Sequence, residues 1–254
     1  YTIALTNKTG VICGNQTYSL EDPLPGNSDF VAFEWTKPDN TKLGLGNAPA
    51  VNEPGTYILW ARDVNGCTAT ATFTLTVRPV PSFSLGADQT ICADQTATLS
   101  PDADFALYRW SSSLDTYSAT LGSSKTLASS TAATYQLEAW NQYGCTSSRS
   151  VVLNVNALPA VSVTPDAPFF CEGQQLQTVA IDNFANYSLV EWNTVPVQSN
   201  VASIDVATAG SYTVTATDAL TGCVNKATAV VTAHPVYTIA LTNKTGVICG
   251  NQTY

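Results

Sequence analysis

Seven cysteines are the residues of this chain best placed to do chemistry, and their spacing makes them a set. Cys13, Cys92, Cys171 and Cys249 follow one another in even steps (79, 79, then 78 along the numbering). Cys67, Cys145 and Cys223 interleave with them in two steps of 78. The first series follows Ile or Phe, and the second always follows Gly. Thiols repeated in this way cross-link, hold a metal or act as nucleophiles. A metal site needs clustered ligands and a nucleophile needs a base. The chain has no Cys-x-x-Cys pair and one histidine, His234, beside a proline. Disulfides are the chemistry that remains for all seven positions, and they point to an oxidising, extracellular or cell-surface setting.

Other polar sets fall short of a site. No nucleophile–His–acid arrangement can be assembled from one histidine in a proline seam, so no enzyme activity is expected. Asp102 and Asp104 lie together, yet without the multi-oxygen spacing of a calcium loop, and read as a solvated turn. Asp63 and Asp218 stand just before turns, where Asp is a turn former. Asn7-Lys8-Thr9, Asn15-Gln16-Thr17 and Asn186-Tyr187-Ser188 match the glycosylation sequon, a motif that says nothing useful if the source is bacterial. No cofactor and no metal is implied. With a net charge of −9 and no basic cluster, neither nucleic acid nor an anionic membrane surface is an expected partner. No apolar run reaches the length of about 18 that a membrane span needs.

The elements that must position the cysteines are strands. Thr68–Val77 alternates Ala69, Ala71, Phe73, Leu75 and Val77 with five threonines, the period-2 signature of a half-buried strand. Thr56–Asp63 precedes it across Asn65-Gly66, a hairpin signal. The same pair recurs as Thr134–Trp140 with Ser148–Val155, and as Ser211–Thr217 with Ala227–Ala233. Upstream, each copy has one tryptophan strand (Trp35, Trp110, Trp192), preceded by a strand holding Leu20, Leu99 or Val179. Charged residues are 11% of the chain, against roughly 25% in typical domains, and no long stretch carries a helical pattern. About seven short strands per copy predict an all-β fold of tandem two-sheet sandwiches.

The copies are themselves part of a longer period. Tyr1–Tyr18 recurs letter for letter as Tyr237–Tyr254, so the numbering of the repeat is offset by 237 − 1 = 236. Domains are therefore expected at 1–79, 80–158 and 159–236, with 237–254 beginning the next repeat. The seams carry proline: Arg78-Pro79-Val80-Pro81, Ala157-Leu158-Pro159 and His234-Pro235-Val236, which favours stiff, extended linkers. With no initiator Met and no signal peptide, the chain reads as an internal piece of a larger mature protein.

Residues Ile12-Cys13-Gly14, Trp35, Gly55-Thr56-Tyr57 and Asn65-Gly66-Cys67 carry a resemblance. Ile91-Cys92, Trp110, Thr134-Tyr135 and Gly144-Cys145 repeat it, as do Phe170-Cys171-Glu172-Gly173, Trp192, Gly210-Ser211-Tyr212 and Gly222-Cys223. Over essentially its whole length the chain resembles the immunoglobulin-like and PKD-like tandem domains of very large Bacteroidota surface proteins. The resemblance implies immunoglobulin-like β-sandwiches in a row. It does not imply the antibody disulfide, because the tyrosine lies ten or eleven residues before the second cysteine rather than two. Three connectivities stay open. Pairing within each copy gives Cys13–Cys67, Cys92–Cys145 and Cys171–Cys223. In a sandwich of this order the two cysteines lie at opposite ends, farther apart than a disulfide tolerates, and end-to-end stacking of domains would permit the staggered set Cys13–Cys145 and Cys92–Cys223 instead. Bonds between chains are the third option.

Tyr57, Leu59 and Ala61, with Tyr135, Leu137, Ala139 and Tyr212, Val214, Ala216, define the core face of their strands. Ile58, Trp60 and Trp140 then fall on the outer face, a possible interface. The function expected is mechanical: a structural segment of an extracellular filament or surface appendage used for attachment, stiffened by disulfides and bundled with copies of the same chain. The alternative is an adhesin module gripping glycans or a partner cell through Trp60 and Trp140.

Overall fold

In this computed structural model, residues 3–23, 29–171 and 176–237 are described. The first copy contributes β1 (Thr9–Cys13), β2 (Tyr18–Ser19), β3 (Phe30–Thr36), β4 (Lys42–Leu45), β5 (Ala50–Val51), β6 (Gly55–Asp63) and β7 (Thr68–Arg78). The second contributes β8 (Gln89–Cys92), β9 (Ala97–Leu99), β10 (Leu107–Ser112), β11 (Leu127–Ser129), β12 (Ala133–Trp140) and β13 (Thr146–Asn156). The third contributes β14 (Val163–Thr164), β15 (Phe169–Cys171), β16 (Gln177–Ile181), β17 (Tyr187–Trp192), β18 (Gln198–Ser199), β19 (Ser203–Val206), β20 (Gly210–Asp218) and β21 (Val224–His234). The expected start of a further repeat, including Cys249, lies outside the described residues.

The fold is all-β: tandem immunoglobulin-like sandwiches, each a large sheet facing a small one. The large sheets run β1-β7-β6-β3-β4, β10-β12-β13-β8 and β15-β21-β20-β17-β18. Opposite them stand β2-β5, β11-β9 and β14-β16-β19. Hairpins join β6 to β7, β12 to β13 and β20 to β21, but β1 runs parallel to β7, and β15 parallel to β21. The chain divides into two compact units, residues 1–90 with 96–154, and residues 91–95 with 155–254. The short segment Ile91–Gln95 goes with the second unit because Cys92 is bonded there, to Cys223.

Alternation fixes which side chains meet. In β7, Phe73 and Leu75 are buried while Thr68, Thr70, Thr72 and Thr74 are not part of the core, because successive side chains leave opposite faces. Tyr57, Leu59 and Ala61 of β6 are fully buried, as are Leu137 and Ala139 of β12 and Val214 and Ala216 of β20. Tyr212 is half-buried. Trp35, Trp110 and Trp192 fill the three cores. Each satisfies its indole N–H on a backbone carbonyl, Glu21 O at 3.1 Å, Ser124 O at 3.1 Å and Val201 O at 3.2 Å.

A second device repeats beside the tryptophans. The hydroxyls of Tyr57, Tyr135 and Tyr212 donate to the carbonyls four residues earlier, Glu53 at 2.8 Å, Thr131 at 2.8 Å and Thr208 at 3.0 Å. Each ties the loop before the strand to the core, in the manner of the tyrosine corner of immunoglobulin sandwiches. Tyr135→Phe is expected to cost roughly 1–2 kcal/mol, because the hydroxyl bond is lost and the Ser129 hydroxyl, 2.6 Å away, loses its partner. A thermal melt with an unchanged midpoint would show the corner to be incidental.

Candidate functional site

The most elaborately built features of the chain are its cysteine turns. On the Gly-Cys side, Asp63 Oδ1 accepts from the amides of Asn65 (2.9 Å) and Cys67 (2.7 Å). Asn141 Oδ1 accepts from Tyr143 (3.0 Å) and Cys145 (3.1 Å). Asp218 Oδ1 accepts from Leu220 (3.0 Å) and Thr221 (2.8 Å), and these bonds, with Thr221 first, hold its carboxyl below the ordinary range. The glycine before each cysteine has φ between 71° and 88° (Gly66 88°, Gly144 79°, Gly222 71°), which a side chain would strain. Asp63 and Asn141 are thus Asx brackets that hold the following cysteine's amide, while Asp218 brackets its turn and leaves the Cys223 amide to Thr221 Oγ1 at 3.3 Å.

The other series has its own bracket. Cys13 N donates to Gln16 Oε1 at 3.0 Å, and Gln16 N returns to Cys13 O at 3.1 Å. Cys92 and Gln95 repeat this at 3.0 and 2.9 Å. Sequence reasoning did not single out Gln16 or Gln95. The signal was present as Cys-x-x-Gln, which also recurs at Cys171-Gln174 and Cys249-Gln252.

Register decides the connectivity. Cys13 lies opposite Arg78, the last residue of β7, whereas Cys67 stands immediately before the first. The whole of that eleven-residue strand separates Cys67 from Arg78, about 36 Å at the rise of an extended chain. A disulfide tolerates a Cα separation of about 4.4–6.8 Å, so pairing within the copy is impossible. The third copy is the same, with Cys171 opposite His234 and Cys223 just before β21. The bonds are the staggered ones: Cys13–Cys145 with Cα atoms 5.5 Å apart, and Cys92–Cys223 at 5.7 Å. Each runs from the first cysteine of one copy to the second cysteine of the next. Cys67 and Cys171, expected in disulfides, are free thiols within this chain, because the stagger leaves neither a partner among the three copies.

Hydrogen bonds to the proline seams accompany the bonds. Asn141 Nδ2 donates to Pro79 O at 2.7 Å and Ser147 Oγ to Pro81 O at 2.7 Å. The Arg78 guanidinium stacks 4.5 Å from the centre of the Tyr143 ring. Asn225 Nδ2 donates to Pro159 O at 2.9 Å, two residues past Cys223 as Ser147 is two past Cys145.

The outer-face aromatics do not form one site. Trp60 and Trp140 are half-buried rather than exposed, and they lie on different sheets. Trp60 borders a shallow depression with Glu34, Thr36, Lys42, Leu45, Ile58 and Thr70. Leu45 and Ile58 are 69% and 42% exposed there, and Lys42 pairs with Glu34 at 2.8 Å. Trp140 stands in register with Leu107 of β10. In the third copy Thr213, Thr215 and Thr217 take this face, with Thr213 hydroxyl-bonded to Thr228 at 2.8 Å.

The remaining candidates are occupied structurally. Asp102 Oδ1 accepts from Ser84 N at 2.9 Å, and Asp104 pairs with Lys125 at 2.6 Å. His234 packs edge-on against Phe169, with ring centres 5.5 Å apart. Among the described residues no three His, Cys, Asp or Glu side chains gather as a metal site, and no helix is long and apolar enough to cross a membrane.

No family model matches the chain, and no curated protein matches it in sequence. Solved structures with related architecture include tandem immunoglobulin domains. The N-terminal eight domains of Down Syndrome Cell Adhesion Molecule share 17% identity at a TM-score of 0.40, over 92% of this chain and 36% of theirs. A complex of Dpr2 with DIP-Theta shares 14% identity at 0.31, over 91% and 97%. Three N-terminal domains of the outer capsid protein Hoc of bacteriophage RB49 share 10% at 0.33, over 80% and 88%.

Proposed function

We propose that this chain is a structural segment of an extracellular filament or surface appendage used for attachment, of the kind that Bacteroidota surface arrays provide. Its successive immunoglobulin-like domains are 1–79, 80–158 and 159–236, and 237–254 begins the next. The observation that carries this reading is the stagger of the disulfides, each of which joins one copy to the next rather than closing a domain on itself. A bond placed at a seam does nothing for a binding site and resists separation of neighbours. The unchanged return of Tyr1–Tyr18 as Tyr237–Tyr254 fits a part valued for length and uniformity. Disulfides also favour an extracellular or cell-surface location, since they persist in oxidising compartments. Low charge and threonine-lined outer faces suit lateral packing with copies of the same chain.

The depression beside Trp60 supports a second reading, an adhesin that grips glycans or a partner cell through Trp60 and Trp140. Ordered fibres in negative stain that survive Trp60→Ala and Trp140→Ala are the expected result. Glycan-array binding that disappears with either substitution, from chains that form no fibre, would replace the structural reading with the adhesin.

A further inference from the structure

Two thiols are left over by the two bonds, and we propose that they are halves of a third. Cys171 of one period bonds Cys67 of the next, and the partner of both ends is therefore a second copy of the whole three-domain period. The inference rests on the structural reading above and names its polymer contact.

Both half-sites are built like the ones that are joined. The Cys67 turn has the bracket of the Cys145 turn, down to the Asp63 N to Cys67 O bond at 2.9 Å, which matches Asn141 N to Cys145 O at 3.0 Å. Cys171 ends a strand paired parallel to the last strand of its sandwich, in the register that Cys13 has with Arg78. The exposure of Cys67 differs from its counterparts as an empty socket differs from a filled one. Cys145 and Cys223 are 1% and 0% exposed under their partners, while Cys67 is open to solvent; Cys171 is half-buried, as the bonded Cys13 and Cys92 are.

The spacing agrees independently. The two bonds have sequence separations of 132 and 131. Advanced by one period, Cys67 falls at 67 + 236 = 303, and 303 − 171 = 132, the separation of the first bond.

A third observation concerns Asp63, which is 3% exposed and has one carboxylate oxygen, Oδ2, without a partner among the described residues. At the Cys13–Cys145 seam the equivalent side chain, Asn141, spends its second polar atom on the Pro79 carbonyl. A buried carboxylate oxygen takes a donor instead. Where β7 ends in Arg78, β21 ends in His234, whose imidazole N–H is a donor of the required kind. The chemistry of the bond is ordinary: two thiols lose two protons and two electrons to an oxidised glutathione, and one S–S bond forms.

The test uses the chain of 254 residues carrying Cys249→Ser, so that Cys67 and Cys171 are the thiols outside the two bonds. Oxidised at high concentration in glutathione buffer, it should give a ladder of oligomers on a non-reducing gel, with Cys67–Cys171 as the bridging peptide. C67S alone and C171S alone should stay monomeric, and an equimolar mixture of the two should give a dimer and stop there. Dimers from either variant alone, a Cys67–Cys171 peptide recovered from monomer, or full alkylation of both thiols in every sample would each overturn the proposal. Neither substitution touches a core, so misfolding does not cloud the result. Fibres in negative stain are scored separately: fibres without the bridging peptide sink this bond alone, and the bridging peptide without fibres sinks the filament reading alone.

Discussion

Replacing Cys13 and Cys145 together by serine will lower the unfolding midpoint of the β8–β13 sandwich by roughly 20 °C. The reason is where the bond anchors the chain. While the first sandwich is folded, Cys13 is held opposite Arg78, so its bond ties Cys145 back to the point where the first sandwich ends. The loop closed in the unfolded second sandwich therefore runs from Arg78 to Cys145, about half the full separation of the bonded pair. Closing a loop of that length removes roughly 4 kcal/mol of conformational entropy from the unfolded second sandwich. A domain of this size shifts its midpoint by about 4–8 °C per kcal/mol. The double substitution avoids leaving a reactive thiol beside the seam. Calorimetry reads the midpoint, and amide exchange in β12 and β13 locates the loss. Cys92→Ser with Cys223→Ser is the companion, expected to soften the third sandwich and leave the first alone. A midpoint that moves by less than about 3 °C, below the shift expected for a single kcal/mol, would mean that the bond joins neighbours without stabilising either.

The strands and cores were legible because period-2 alternation is a local signal. Phe73 and Leu75 could not face inward without Thr72 and Thr74 facing out. The bracketing role of Asp63 and Asp218 was equally local, a matter of Asx chemistry two to four residues long. The connectivity was not. It depends on β1 pairing parallel to β7, so that Thr9 meets Thr74 and Cys13 meets Arg78, a long-range contact that no hydrophobic pattern announces. Once that pairing exists, each sandwich carries its two cysteines at opposite ends of its last strand, and only the neighbour can supply a partner. Trp60 and Trp140 were harder for another reason. Alternation places a side chain on the outer face of a sheet, but whether that face is open depends on what lies beside it, here Glu34, Lys42 and Ile58 for Trp60.

The stagger also sets how far the chain can be drawn out, and this gives a second large effect. Along the backbone, the path from Cys13 to Cys223 takes 223 − 13 = 210 peptide steps. The two bonds open a shorter covalent route: across to Cys145, back along the chain to Cys92, and across to Cys223, with only 145 − 92 = 53 steps of backbone. At about 3.5 Å per step, full extension between these points is roughly 190 Å when oxidised and roughly 740 Å when reduced. Single-molecule pulling with handles at the two ends should resolve that difference. The response to removing one bond identifies the arrangement. Without Cys13–Cys145 the shortest route takes 92 − 13 = 79 steps to Cys92 and then crosses to Cys223. Without Cys92–Cys223 it crosses to Cys145 and takes 223 − 145 = 78 steps. Either loss alone should therefore add only about 90 Å, and the second loss should then release about 460 Å more. Bonds closed within each copy behave otherwise, since every one removed adds a similar length. Equal increments would contradict the overlapping arrangement. The expected unequal ones mean that each bond covers for its neighbour, so an array built this way releases only the smaller part of its hidden length when any one bond is reduced.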